Sequence, residues 1–342
     1  MRDYKNKKVY IILVNYNGWQ DTIECLESLF KIEYRNYQIL LVDNDSPNNS
    51  IENIKSWANG KTKINEKHTS IFKKYVLPYI KKPIEYIEYT ALQAIQGGDR
   101  ELEKRYKDPL ILIKSDKNGG FSYGNNIAIN YALKKNDFDY VLLLNNDTIV
   151  DKLFLQEMVK TAENYQNAGI VGSKIYYYDK PNKLWFNGGT FNEWIGRSSH
   201  IQKENKTDIS ECSFITGCSM LIQKDVLEKV GLLDESYFMY VEDLDYSYRT
   251  TKYGYKLFVA HNSIIWHKIG ASNEGELSEF SAYWSTKNRI KLILKNNNFI
   301  KIIISLSILF ITRIIKFNEY SLKGYKNIKL AQIKAIKDSF KM

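Results

Sequence analysis

Three apolar runs in this chain end in short clusters of amides and carboxylates. Tyr140 to Leu144 stops at Asn145-Asn146-Asp147. Val9 to Val14 runs into Asn15-Tyr16-Asn17-Gly18, and Gln38 to Val42 runs into Asp43-Asn44-Asp45-Ser46. Amides can bond hydroxyls and phosphates, and a carboxylate can hold a cation. In open parallel sheets ligands bind beyond the carboxyl ends of the strands. Any one such cluster also makes an ordinary turn. Three at equivalent strand ends point to one shared site. A fourth run, Leu110 to Lys114, leads into Asn118-Gly119-Gly120 and on to Asn125-Asn126. Glycines at a strand-to-helix turn let a ligand approach the backbone, and a helix start favours phosphate. Further on stand Glu242-Asp243 and Trp266-His267. Adjacent carboxylates repel, which raises one pKa and suits a general base. Asp243 or Asp245 would equally well cap the helix that follows. His267, beside Trp266, fits a core histidine.

The elements that must position these residues follow from hydrophobic pattern. The runs at 9–14, 38–42, 110–114 and 140–144 are continuous and rich in Ile, Leu and Val, as strands buried on both faces are. Asp21 to Phe30 places Ile23, Leu26, Leu29 and Phe30 on one helical face. Strand, helix, strand with a right-handed crossover makes a parallel sheet. Residues 51 to 107 break the rhythm. They hold a short helix at Ile51 to Trp57, a basic stretch from Lys61 to Lys82 with Pro78, and an alternating edge strand at Ile84 to Tyr89. This segment reads as an insertion carried on the sheet. After Asp147 come a helix over Lys152–Tyr165, a strand over Ile170–Tyr178 and an aromatic, glycine-rich stretch from Lys183 to Ile195. Its aromatic faces suit sugar rings and fill cores equally well.

The 342 residues suffice for one large α/β domain with extras. Three cysteines, Cys25, Cys212 and Cys218, lack metal-type spacing, which fits a reducing compartment and no disulfide framework. The charged start leads straight into a strand, without a secretory pattern. The net charge of +10 is a tail property: residues 287–342 carry 13 Lys/Arg and 2 Asp/Glu, and the remainder sums to −1. Within that tail Ile302 to Thr312 carries no charge, far short of the roughly 20 residues of a spanning helix. An apolar stripe among lysines and arginines reads as a helix lying in a membrane interface, on an anionic cytoplasmic leaflet. Its apolar content argues against nucleic acid as the partner. The expected division is residues 1–285 as the main domain and 286–342 as a basic amphipathic helical region.

Taken together, the segments VNYNG (14–18), LVDNDS (41–46), NGGFSYGNN (118–126), LLNND (143–147), TGCSMLI (216–222), GLLDESYFMYVEDLDYSYR (231–249) and WHKIGAS (266–272) resemble inverting glycosyltransferases of family 2, most closely the rhamnosyltransferase-like subgroup. The resemblance implies a GT-A fold, an α/β architecture with a Rossmann-like, mostly parallel sheet. It implies a nucleotide-diphosphate sugar as donor, held by Val14, Tyr16, Asp43, Asn44, Asn118, Gly120, Asn125, Asn145 and Asn146. It implies Asp147, completed by His267, as ligands of Mg²⁺ or Mn²⁺. It implies Asp243 as the base and Glu242 as the residue that orients the acceptor. This chain has Asn145 where many members have the first Asp of an Asp-x-Asp motif, leaving one carboxylate for the metal.

The expected activity is sugar transfer to a hydroxyl of a glycan or lipid-linked glycan, in cell-surface polysaccharide or glycoconjugate synthesis at the inner face of the membrane. Two other classes compete. A sugar-phosphate nucleotidyltransferase would need Arg and Lys in a glycine-rich loop after the first strand, where Asn17-Gly18-Trp19 stands instead. A non-catalytic nucleotide-sugar-binding membrane protein would tolerate loss of Asp147, Asp243 and His267, and all three are present.

Overall fold

A computed structural model of the chain describes residues 4–62, 72–269 and 278–341. Residues 63–71 of the insertion and Gly270 to Ser272 of the last motif lie outside the described residues.

The chain opens with β1 (Val9–Asn15), α1 (Trp19–Leu29) and β2 (Tyr37–Asp43). Helices α2 (Ser50–Ala58) and α3 (Lys73–Val76) lead to β3 (Tyr86–Thr90), then α4 (Ala91–Ile95), α5 (Arg100–Glu103) and β4 (Leu110–Lys114). Next come α6 (Gly120–Lys135), β5 (Tyr140–Asn145), β6 (Thr148–Val150), α7 (Phe154–Asn164) and β7 (Ala168–Tyr177). The short strands β8 (Leu184–Phe186), β9 (Gly189–Asn192), β10 (Arg197–His200) and β11 (Ile209–Cys212) precede β12 (Ser219–Gln223) and α8 (Lys224–Val230). The chain continues through α9 (Glu242–Lys252) and β13 (Lys256–His267). It closes with α10 (Glu279–Asn296), α11 (Phe299–Leu322) and α12 (Lys326–Ser339).

The main sheet runs β11-β13-β7-β12-β5-β1-β2-β4-β3. The half from β5 to β3 is wholly parallel. β12 enters antiparallel between β5 and β7, and β13 then pairs parallel with β7. β1 is the pivot, with β2 on one side and β5 on the other. That is a topological switch point, where the crevice beyond the strand ends opens. The strands that read as continuous apolar runs are those buried on both faces: Ile11, Ile12, Leu40, Leu41, Ile111 and Leu142 are fully buried. α6 packs on β1 and β2 closely enough that a Cβ at Gly124 would lie 2.8 Å from Val14 Cγ1.

The insertion adds β3 as an edge strand beside β4, as the alternation at 84–89 predicts. It is pinned to α1 by Glu27, which is fully buried and accepts from Trp57 Nε1 at 3.0 Å, Ile80 N at 2.8 Å and Lys82 Nζ at 2.9 Å. A buried carboxylate is tolerable only with such partners. Both sheet edges carry a mid-strand glutamate facing water and paired with lysine: Glu88 with Lys55 on β3, and Glu211 with Lys256 on β11.

The C-terminal helices pack through two small clusters, Ala282 with Tyr320 and Ile328, and Ile290 and Ile293 with Leu309. α11 buries Ser305, Leu309 and Tyr320. Its opposite face presents Ile300, Ile303, Ile304, Ile311, Ile314, Ile315 and Leu322 to solvent. No helix among the described residues is long and apolar enough to cross a membrane.

Candidate functional site

The ends of β1, β2 and β5 are tied into one polar network. In the parallel register Asn15 stands opposite Asp43, and Val14 opposite Asn145. Asn15 Nδ2 donates to Asp43 Oδ1 at 2.6 Å. Ser46 closes the corner, its Oγ donating to Asp43 Oδ1 at 2.7 Å and its N–H to Asp43 Oδ2 at 3.1 Å. Asn15 Oδ1 accepts from Gly18 N and Thr22 Oγ1, which fixes the start of α1. Asn146 Nδ2 donates into the same hub, to Thr22 Oγ1 at 2.8 Å. So the Asn146 amide nitrogen is spent on positioning the corner. Tyr16 projects from it, 45% exposed.

Asn44 joins this hub to the next strand end. Its Nδ2 donates to Asn118 Oδ1 and to Gly120 O, both at 3.1 Å, and its Oδ1 is buried without a hydrogen-bond partner. Most of the segment from Asn118 to Asn125 is helix. α6 begins at Gly120, and Asn125 Nδ2 donates to Phe121 O one turn back at 2.9 Å. The glycines serve a close approach. Gly120 has φ +84°, and a Cβ there would lie 2.0 Å from Phe238 O. Phe121 N donates to that same carbonyl at 3.0 Å.

The β5–β6 corner carries Asp147, and the pairing of β6 with β13 places His267 opposite Thr148, beside it. His267 Nε2 stands 3.1 Å from Asp147 Oδ1 and 3.3 Å from Asn145 Nδ2. Asp147 Oδ1 is buried yet makes no aligned hydrogen bond. A carboxylate oxygen and an imidazole nitrogen this close form an ion pair when the imidazole is protonated and suit two ligands of one cation when it is neutral, a donor set compatible with Mn²⁺ or Mg²⁺. Burial alone would lower the His267 pKa, but Cys218 and Asp147 hold it well above the usual value. Among the described residues no group of three His, Cys, Asp or Glu is placed to hold a metal. A cation here would rely on Asp147, His267 and ligand oxygens. The Trp185 ring packs 5.0 Å from the His267 ring, centroid to centroid, and so fixes the imidazole plane. Lys268 anchors the next position through Asp21, at 2.6 Å, and Glu24.

The second carboxylate pair opens α9. The helix N-cap is Val241, so neither Asp243 nor Asp245 caps it. Asp245 is wholly buried and structural, bonding Arg249 Nε at 2.8 Å and Asn296 Nδ2 at 2.9 Å. Asp243 accepts from Gly217 N at 2.9 Å and Leu244 N at 2.8 Å. Burial raises its pKa against those two N–H groups. Glu242 is buried, and its Oε2 has no hydrogen-bond partner. Burial first, then the charge of Asp243, push its pKa well above the carboxylate range. Tyr240 and Val241 both take left-handed backbone, at φ +68° and +76°. That is a strained conformation for a β-branched residue. It is held from α10, where the buried Asn288 donates to Met239 O at 2.8 Å and Tyr240 O at 2.9 Å.

The two carboxylate centres meet through one short segment. Gly217 N bonds Asp243, and the next residue's carbonyl, Cys218 O, accepts from Asn145 N at 3.0 Å. A metal-type corner and a carboxylate pair of raised pKa thus share one wall of the crevice. Asn15, Thr22, Ser46, Trp185 and Asn288 were not assigned from sequence. Asn15 stood in a quoted strand-end motif, whereas Asn288 lies mid-helix with no local signal.

Known proteins share sequence and fold with this chain. A family model described as glycosyltransferase-like family 2 matches residues 99–290, and one described as glycosyl transferase family 2 matches residues 10–71. The rhamnosyltransferase WbbL of Escherichia coli is 28% identical over 203 residues, covering 54% of this chain and 75% of its own. The low-salt glycan biosynthesis hexosyltransferase Agl10 of Haloferax volcanii is 29% identical over 147 residues, 42% of this chain and 47% of its own. This chain therefore spans only about half the length of the latter. Among solved structures, the mannosyltransferase PcManGT of Pyrobaculum calidifontis, in complex with GDP-Man and Mn²⁺, superposes with a TM-score of 0.54 at 10% identity, covering 98% of this chain and 87% of that one. GalNAc-T7 with UDP, GalNAc and Mn²⁺ gives 0.54 at 14% identity, over 84% of this chain and 48% of that one. These likenesses show the GT-A fold. With the matched model spanning more than half of its length, the chain belongs to glycosyltransferase family 2.

Proposed function

We propose that the chain is an inverting glycosyltransferase that moves a sugar from a nucleotide-diphosphate donor to a hydroxyl of a glycan or lipid-linked glycan. The observation that carries this is the Gly217–Cys218 segment, which bonds Asp243 on one side and Asn145 on the other. It sets a base candidate beside the metal-type corner.

The donor's nucleoside lies on Val14, Tyr16, Asp43 and Asn44, whose Oδ1 is an acceptor without a hydrogen-bond partner. Asn118, Gly120, Asn125, Asn145 and Asn146 shape the wall along the ribose and diphosphate. Asp147 and His267 would hold Mg²⁺ or Mn²⁺, which neutralises the charge developing on the departing diphosphate. In the single displacement the acceptor oxygen forms its bond to the anomeric carbon while the carbon–phosphate-oxygen bond breaks. The hydroxyl proton passes to Asp243. Two backbone N–H groups fix that carboxylate, and its raised pKa favours proton capture. Glu242, kept protonated by burial, has a free oxygen to orient the acceptor.

The basic, apolar-faced α11 supports a peripheral position on an anionic membrane, at the inner face where a lipid-linked acceptor would be presented. The test is thermal unfolding with a panel of nucleoside diphosphates and sugar nucleotides, with and without Mn²⁺ or Mg²⁺. A ligand that binds only the folded state raises its stability. A metal-dependent rise with one nucleotide supports the reading. No rise with any of them, in folded protein, overturns it.

A further inference from the structure

Most half-buried cations of this chain have a carboxylate. Lys82 has Glu27, Lys268 has Asp21 and Glu24, and Arg249 has Asp245. The half-buried Arg289 on α10 and Arg313 on α11 do not, nor do the exposed Arg197 on β10 and Lys316 on α11. None of the four is in a salt bridge, among the described residues. Arg289 donates from Nε to Gly196 O at 2.7 Å and from a terminal nitrogen to Ile195 O at 2.9 Å, which draws the β9–β10 turn onto α10. Arg313 is half-buried, and its Nε is fully buried with no hydrogen-bond partner. Ile293 packs on Leu309, which sets Arg289 of α10 and Arg313 of α11 each one turn beyond that contact, and Ser305 Oγ donates to Trp194 O at 2.8 Å, which holds α11 against the turn that leads to Arg197. Burial lowers the Arg289 pKa to about 10, with the charges of Arg313 and Arg197 adding to it. Burial likewise lowers Lys316, with Arg313, Arg197 and Arg289 contributing and Glu319, itself paired with Lys323, opposing.

Like charges gathered in a partly buried place, with a donor left unpaired, lack an anion. Guanidinium forks match phosphate oxygens in geometry as well as charge. The side chains that flank the cluster on α11 are Ile311, Ile314 and Ile315, each more than half exposed. A soluble anion would make no use of them. A phosphate carried on acyl chains would use both.

We propose that Arg197, Arg289, Arg313 and Lys316 form a receptor for the phosphate headgroup of an anionic membrane lipid. The proposal rests on the reading of α11 as a membrane-facing helix.

The test is co-sedimentation of the full chain with phosphatidylcholine vesicles, with and without phosphatidylglycerol. Three proteins are compared: the wild type, Arg197→Gln/Lys316→Gln, and Lys326→Gln/Lys337→Gln. The last removes the same charge from exposed α12 positions outside the cluster. Arg197 and Lys316 are exposed and bear no packing role, so folding is kept. The expected result is a loss of about tenfold or more in affinity for phosphatidylglycerol vesicles in the first double variant, and a much smaller loss in the second. Equal losses would mean diffuse tail charge and overturn the site while leaving the membrane reading intact. Binding of the wild type to neither vesicle would overturn both. Inorganic phosphate separates the remaining source. If millimolar phosphate raises the melting temperature of the wild type but not of Arg197→Gln/Lys316→Gln, while vesicles do not bind, the cluster serves a free anion and the lipid assignment fails.

Discussion

The side-chain amide of Asn288 lies 2.9 Å from the carbonyl of Tyr240, and the same nitrogen reaches Met239 O at 2.8 Å. One buried residue of α10 thereby holds the left-handed turn that aims Glu242 and Asp243. Strain of this kind, of order 1–3 kcal/mol per residue, persists only where the surroundings over-determine it. Asn288→Ala leaves two half-buried carbonyls without that donor and is expected to cost about 1–3 kcal/mol of stability. Its larger effect is expected on turnover, because the base loses its aim while the nucleotide wall is untouched. Melting curves, nucleotide binding and transfer rates on one preparation check this. A parallel fall in nucleotide binding and turnover would point to general unfolding instead.

Asp243→Asn is expected to lower transfer by about 10²–10⁴-fold, the range for loss of a general base. Nucleotide-induced stabilisation is expected to survive, since Asp243 touches no strand-end residue of the donor wall. Near-normal turnover in this variant removes Asp243 from the role.

The two carboxylates also make a pH prediction. Glu242 and Asp243 both have raised folded-state pKa values, burial being the main cause. The acidic limb of the rate profile therefore lies above the ordinary aspartate value, where Asp243 gives up its proton. For stability, the folded state binds the Glu242 proton more tightly than the unfolded state does. Stability then falls as pH rises from the ordinary glutamate value through the folded one. Glu242→Gln removes this loss, so the variant is expected to melt higher than the wild type at neutral pH and to match it below pH 4. Equal melting differences at both pH values would show that Glu242 is not held protonated.

Asp147→Asn and His267→Ala are each expected to abolish the Mn²⁺-dependent part of nucleotide stabilisation. Asp243→Asn keeps it. Calorimetric titration of Mn²⁺ in the presence of a nucleoside diphosphate reads this without a transfer assay. Unchanged Mn²⁺ binding in both variants would place the cation elsewhere.

Two glycines of nearly equal φ separate conformation from contact. Gly231, at +86°, has nothing within 4 Å of an added Cβ, whereas Gly120, at +84°, would meet Phe238 O at 2.0 Å. Gly231→Ala is expected to cost only the backbone penalty of its φ +86°, ψ −161° conformation, which is essentially reserved for glycine, roughly 1–3 kcal/mol. Gly120→Ala adds displacement of the turn that leads to Asp243. Chemical denaturation of the pair measures the difference, and similar midpoints would mean that the Phe238 turn yields freely.

Much of this was legible because it is local. Period and composition mark β1, β2, β4 and β5, and their polar ends announce a site. The alternation of Ile84 to Tyr89 marks an edge strand. What the sequence hid is what the fold brings from afar. That Asn146 turns inward to Thr22, that Asn125 sits one turn inside a helix, and that Trp185 lies against His267 are outcomes of packing. Asn288 shows the limit most plainly. A mid-helix asparagine has no pattern of its own, and its partners lie 48 and 49 residues away in the chain.

The lysine-paired glutamates on the two outer strands bear on the company this protein keeps. An open sheet this wide ends in rows of unpaired N–H and C=O groups, the usual template for adding strands from another molecule. Glu88 and Glu211 set a charge in the middle of each outer strand, and both strands are short. Copies crowded on a bilayer would meet at local concentrations far above those in solution. The charged borders keep such neighbours from annealing into fibres, so the same sheet that carries the site can be packed densely without aggregating.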